Sequence, residues 1–329
     1  MATVPVVVFK ILNFKYNISM DIKESILKTL AWFKLFEHPL TSEELFRFLW
    51  MSPNLTYQNF LEELKKLVSE KAIEEKDGFY FLFGKSELVE KRLEKKEWID
   101  KKNKILKRAV KKMRYVPFLK AVFVCNNLSF KTASEDSDID VFIVAREGRI
   151  WIVRFFTTLF LSIFFLRRHG SKIKDRICLS FYCSDKYLNL RSIQISNRPD
   201  IYLVYWLAQL IPVYDIDYTS VKMERANNWI KEYVGSSLLE NDGKELKVEG
   251  SKFSKSFKSF FESAWKGGYG DLVEKQLREM QKTKMKMNKY TKQGEGSAGV
   301  IINDQMLKFH ENDRREYYRK KWYENTKGN

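Results

Sequence analysis

The stretch Ser137-Asp138-Ile139-Asp140-Val141-Phe142-Ile143-Val144 constrains this chain more than any other. From Ile139 onward it is apolar and β-branched, the composition of a strand, and on a strand residues i and i+2 leave from one face. Asp138 and Asp140 are therefore expected side by side, with Ile139 turned into the core. Two neighbouring carboxylates repel each other unless something cationic lies between them. A divalent metal answers that repulsion, and Mg²⁺ favours carboxylates, waters and phosphate oxygens. The pair points to phosphoryl or nucleotidyl transfer. A solvated strand end is the competing reading of so short a motif.

The flanking sequence adds context. Ala121 to Cys125 reads as a strand, Asn126 to Ser137 as a turn-rich loop, and the acidic strand follows. This order resembles the nucleotidyltransferase superfamily that includes DNA polymerase beta and the small antitoxin-type nucleotidyltransferases. Members carry a Gly-Ser pair after one strand, then a loop, then Asp-x-Asp opening the next strand. Asn126-Asn127 stands at the Gly-Ser position, and the step of eleven from Asn127 to Asp138 fits the family's spacing. Thr132 to Asp140 is similar to the family's loop, including Ser137 just before the first aspartate.

The resemblance implies transfer of a nucleoside monophosphate from an NTP to an acceptor hydroxyl, with Mg²⁺ or Mn²⁺ as cofactor. Asp138 and Asp140 would be the catalytic, metal-binding carboxylates. Asn126, Asn127, Ser129 and Ser137 would bind the nucleotide, with Lys131, Lys172, Lys174 and Arg176 as candidate phosphate neighbours. The acceptor stays open between a nucleic-acid end, a protein and a small molecule.

Two departures from the family pattern set up an alternative. Asparagines replace the glycine and serine, and Lys131 stands where a second glycine often lies. The third carboxylate expected on a later strand has no counterpart in Arg176 to Cys183, and Asp175 and Asp185 read as strand-end turn residues. The alternative is a catalytically inactive protein of the same fold, acting as a nucleotide sensor or nucleic-acid-binding regulator.

The fold expected for the whole chain is α+β. Residues 1–19 read as an appendage without the small-residue ending of a cleavable signal segment. Residues 20–85 read as a winged helix-turn-helix: helices over Asp21 to Phe36, Glu43 to Leu49 and Tyr57 to Lys71, then a hairpin over Ile73 to Leu82 with an Asp77-Gly78 turn. Thr41 to Glu44 is a capping box. Residues 86–234 read as the nucleotidyltransferase-like mixed sheet flanked by helices, entered through a charged connector helix, Glu87 to Arg114. Within it Tyr202 to Leu210 is expected to be helical and Ile211-Pro212-Val213 to end that helix. Residues 235–256 read as a linker, and 257–329 as a basic helical region interrupted at Gly267-Gly268 and by a loop over 292–297. Its tail, from Asp313, interleaves Tyr317, Tyr318, Trp322 and Tyr323 with cations, which suits stacking on bases or packing against the preceding domain.

Charge bears on partners. The formal net charge is +17, and residues 251–329 hold 18 Lys and Arg against 10 Asp and Glu. That balance favours polyanions, although interspersed Lys and Glu can simply coat helices. Cys125, Cys178 and Cys183 form no Cys-x-x-Cys pair, which argues against zinc and fits a reducing, cytoplasmic setting. The apolar run Ile150 to Leu166 is about as short as a bilayer span can be. Arg154 interrupts it, so a helix covering the sheet, with no membrane insertion, is the expectation, and the Arg167-Arg168 flank leaves contact at a membrane surface as the lesser alternative.

Overall fold

The computed structural model describes residues 20–51, 55–195, 199–235, 243–287, 299–310 and 312–327. The expected appendage at 1–19 and the loop at 292–297 lie outside the described residues.

Three helices, α1 (Ile22–Lys34), α2 (Ser42–Arg47) and α3 (Tyr57–Ser69), begin the chain. They pack with a small antiparallel sheet of β1 (Leu40–Thr41), β2 (Ile73–Lys76) and β3 (Phe79–Leu82). The start of α2 is fixed reciprocally: the Glu44 N–H donates to Thr41 Oγ1 at 3.3 Å, and the Thr41 N–H donates to Glu44 Oε2 at 3.2 Å. Between β2 and β3, Asp77 and Gly78 both take positive φ, 54° and 78°, the left-handed pair that a two-residue hairpin turn needs.

A long helix, α4 (Glu87–Met113), leads into the main sheet. There follow β4 (Leu119–Val124), the single turn α5 (Asn126–Ser129), β5 (Ile139–Ala145), α6 (Ile150–Ile163) and β6 (Ile177–Ser184). Then come α7 (Ile201–Ala208), β7 (Ile211–Asp215), α8 (Thr219–Ala226), α9 (Lys252–Ala264) and α10 (Gly268–Met287). The hairpin β8 (Val300–Ile302) and β9 (Met306–Phe309) and the helix α11 (Arg315–Lys327) complete the chain. The six strands run in the order β7-β4-β5-β6-β9-β8. Only β5 and β6, joined through α6, pair in parallel. The result is a mixed sheet with helices on both faces. Among the described residues no helix is long and apolar enough to cross a membrane.

Alternation along the strands builds two cores. Ile139, Val141 and Ile143 of β5 join the cluster formed with α4 and α6. Phe142 and Val144 join the other, which runs on without interruption into α1, α2, α3, α7 and α11. That second core spans the boundary drawn in sequence at residue 86. Trp32 stacks on Tyr205 at 5.2 Å, and the Trp322 indole N–H donates to the Lys28 carbonyl at 2.9 Å. Full burial of one such large side chain contributes about 1.5–3 kcal/mol.

Three expectations are corrected. Ile211-Pro212-Val213 does not merely end a helix; it opens β7. That strand is the sheet's edge, where the missing proline N–H costs no ladder bond. Part of the supposed linker is packed: Val248 is buried, its N–H donates to the Val213 carbonyl at 2.7 Å, and α9 already begins at Lys252. The C-terminal region is not helical alone, because β9 pairs with β6 and extends the main sheet.

Candidate functional site

The site is built where β4 ends and β5 and β6 begin. After Val124 the chain must turn sharply, and Asn126 does so with φ of 54°, a left-handed conformation that asparagine tolerates better than most residues. Lys131, at the far side of the α5 turn, is left-handed as well, with φ of 57°. Both positions thus carry the left-handed backbone that favours glycine. The Cys125 N–H donates to the Asp140 carbonyl at 3.1 Å, tying the turn to the acidic strand, and the Asn126 side chain beside it works to lower the Asp140 carboxyl.

Asp138 and Asp140 fall on one face, as alternation requires, and a third group joins them. In the parallel pairing Asp140 lies opposite Cys178, and a bulge follows before Phe142 meets Phe181. Bulges of this kind re-aim side chains beside sites. A ligating atom from each of Asp138, Asp140 and Cys178 lies within 4.8 Å of the other two. Burial first, and the Asp138 charge second, push the Asp140 carboxyl up to about 6. Burial and the two carboxylates push the Cys178 thiol up as well, so it holds its proton at neutral pH. Arg168 answers part of the negative charge. Its guanidinium donates to Asp138 at 2.5 Å and lies 3.8 Å from the Cys178 sulfur.

The other residues named from sequence are placed less uniformly. Asn127 is exposed on α5, and its carbonyl accepts the Thr132 N–H at 2.8 Å. Ser129 is buried and donates to the Asn126 carbonyl at 3.0 Å, while Ser137 donates to the Ser134 carbonyl at 3.0 Å. Both hydroxyls hold the loop's own backbone. Among the candidate phosphate neighbours, Lys131 turns away to Glu44 at 3.1 Å, and Lys174 pairs with Glu135 and Asp136. Arg176 donates to the Phe165 carbonyl at 2.5 Å, and Lys172 is exposed.

Several groups at the site carried no sequence signal of their own. Lys102, buried in mid-α4, donates to the carbonyls of Glu135 and Ser137 at 3.1 and 2.8 Å and to Asp175 at 2.7 Å. It thereby clamps the loop that delivers Asp138 to the turn that starts β6. Although burial opposes it, hydrogen bonds from Lys101 and Lys102 hold the Asp175 carboxyl below its usual range. Ser180 and His310 meet at 3.1 Å, and burial lowers His310 to about 4, so its ring is neutral. A cavity of about 240 Å³ opens beside Asn126, walled by Phe181, Tyr202, Trp206, His310 and Tyr318. Tyr318 stacks on Tyr202 at 5.5 Å, so this aromatic of the C-terminal tail roofs the cavity.

No protein-family model, curated protein or solved structure matches this chain.

Proposed function

We propose that the chain is a metal-dependent nucleotidyltransferase of the polymerase-beta-like kind, moving a nucleoside monophosphate from an NTP to an acceptor hydroxyl. The observation that carries this reading is the convergence of Asp138 and Asp140 beside the left-handed turn at Asn126, a residue that also lines an aromatic-walled cavity. The donor set suits a hard divalent cation. Burial first, and the Asp138 charge second, raise Asp140, and a cation between the carboxylates would relieve both costs. Asp138 and Asp140 would hold Mg²⁺ or Mn²⁺. Cys178, a protonated and softer ligand, would stay outside the shell.

When bound, the metal neutralises triphosphate charge and stabilises the charge that develops at the transferred phosphorus. The chain's own residues supply the rest. The Asn126 side chain, beside Asp140, would help to orient it, and Lys102 fixes the loop that carries Asp138. Arg168, which pairs with Asp138, would offer a cation to arriving phosphate oxygens. The flat aromatic walls formed by Tyr202 and Trp206 suit a nucleobase.

We read α1–α3 with the small sheet as a winged helix-turn-helix module. The outward face of α3 is crossed by the ion pairs Lys23–Glu70 and Lys66–Glu63 rather than left basic. Its core is continuous with the main sheet, which favours a structural or protein-docking role over reading DNA.

A second reading, a nucleotide sensor without turnover, draws on two observations: Arg168 sits on Asp138, and Cys178 stands where a third acid would complete the site. The deciding experiment incubates the chain with each labelled NTP and Mg²⁺ or Mn²⁺ across a broad acceptor panel. Transfer predicts pyrophosphate release and labelled product, both lost in Asp138→Asn and Asp140→Asn. Metal-dependent NTP binding with no product would instead establish the sensor.

A further inference from the structure

A second and larger hollow, about 630 Å³, lies on the other side of Cys178, between α6, the start of β6 and α10. Its lining holds Arg154, Arg167, Arg168 and Lys284 and not one carboxylate. Arg154 is the residue that breaks the apolar run of α6. Its guanidinium donates to Gln281 Oε1 at 2.6 Å and lies over the Phe309 ring at 5.0 Å, yet its buried Nε has no hydrogen-bond partner. Gln281 is itself locked by bonds to the carbonyls of Trp151 and Leu277 at 2.9 and 3.1 Å, so it cannot swing to serve that Nε. Burial first, and the Arg167 charge after it, disfavour the charged form of Arg154. Neither arginine pairs with a carboxylate among the described residues. Two half-buried cations lining one hollow without an anion are costly, and a bound anion would remove that cost.

The remainder of the wall is apolar. Phe155, Leu159, Met280 and Phe309 face the hollow, and Ser162 at its edge leads directly into Ile163-Phe164-Phe165. Those three are 56, 45 and 77 % exposed, although they are large and apolar. Contiguous apolar exposure beside cations fits contact with a lipid surface better than contact with water. A small, wholly polar phosphate compound would leave these walls unmatched.

We propose that this groove binds an anionic lipid, its phosphate monoester held by Arg154 and Arg167 and its first acyl carbons laid against Leu159, Met280 and Phe309. Charge complementarity selects the headgroup, and the exposed Ile163-Phe164-Phe165 edge meets the membrane surface. The proposal stands apart from nucleotidyl transfer at Asp138 and Asp140.

The test uses the full chain, with flotation on vesicles of equal parts phosphatidylcholine and phosphatidic acid and calorimetry with a soluble short-chain phosphatidic acid. Binding is expected to both and not to phosphatidylcholine alone. Each of Arg154→Gln, Arg167→Gln and Lys284→Gln should weaken it by about tenfold or more, as loss of a charge-assisted hydrogen bond does. Lys104→Gln, an equal loss of charge at an exposed site on α4, should leave it unchanged. Arg167 and Lys284 keep the test decisive if Arg154→Gln fails to fold. Equal weakening by Lys104→Gln would overturn the proposal, because it would reduce the effect to general attraction of a basic chain. Inorganic phosphate binding as tightly as the short-chain lipid, or preference for a single-stranded oligonucleotide, would overturn it too.

Discussion

Cys178 stands opposite Asp140 across the parallel β5–β6 pairing, so a protonated thiol occupies the place beside the acidic pair where a third carboxylate would complete a metal site. The pair keeps its mutual repulsion, and Arg168 on Asp138 offsets only part of it. The site is thus short of positive charge without being open to a third hard ligand.

Replacing Cys178 by aspartate tests this directly. In metal-free buffer the variant gains a third repelling carboxylate and should lose about 1–3 kcal/mol of stability. Mn²⁺ should restore much of the loss by binding the folded state alone. Thermal unfolding with and without Mn²⁺ measures both effects. A loss that Mn²⁺ leaves unrepaired would separate Cys178 from the acidic pair.

Lys102 is expected to matter more than any exposed lysine. Lys102→Met strips Asp175 of one of its two lysines, takes the side-chain donor from the Glu135 carbonyl, and leaves the Ser137 carbonyl with the Asp175 N–H alone at 3.3 Å. Because Lys101 still reaches Asp175 at 2.8 Å, the cost should fall at the low end for a broken buried pair, about 3 kcal/mol. Amide exchange around Ser137 to Ile139 should quicken with it. Denaturation midpoints unchanged from those of the parent would show that the clamp contributes nothing.

Acid should destabilise the fold through His38. Burial first, and the Arg92 charge second, push this ring down to about 3, and its Nδ1 has no partner. The unfolded chain therefore binds a proton near the ordinary value of 6.5 while the folded chain does not. The contribution is full above pH 6.5 and is lost as pH falls from there toward 3, amounting to about 4–5 kcal/mol across the window. Urea unfolding at a series of pH values should show this slope in the parent and a shallower one in His38→Asn. Parallel slopes would assign the acid sensitivity to other groups.

What was legible in the sequence follows the strength of the local code. The Asp77-Gly78 hairpin, the Thr41–Glu44 box and the alternation at Asp138 and Asp140 each rest on nearest neighbours, and each is present. The strand β7 was hidden because proline reads as a breaker unless the strand's edge position is known. The strands β8 and β9 were hidden because three or four apolar residues carry no period of their own. Their pairing with β6 is a long-range fact. Lys102 and Arg168 could not be separated from the other members of a set of 59 Lys and Arg, because only burial and partners distinguish them. Cys178 has no signal of its own in an apolar strand without an acid, and only its register opposite Asp140 singles it out.

The central claim is that Asp138 and Asp140 form a divalent cation site for a nucleotide. Titration with Mn²⁺ in the presence of an NTP, read by electron paramagnetic resonance, addresses it most directly. The account predicts saturable loss of the free Mn²⁺ signal in the parent and in Cys178→Ala, and none beyond the nucleotide's own binding in Asp138→Asn and Asp140→Asn. Equal Mn²⁺ uptake by all four proteins would contradict it.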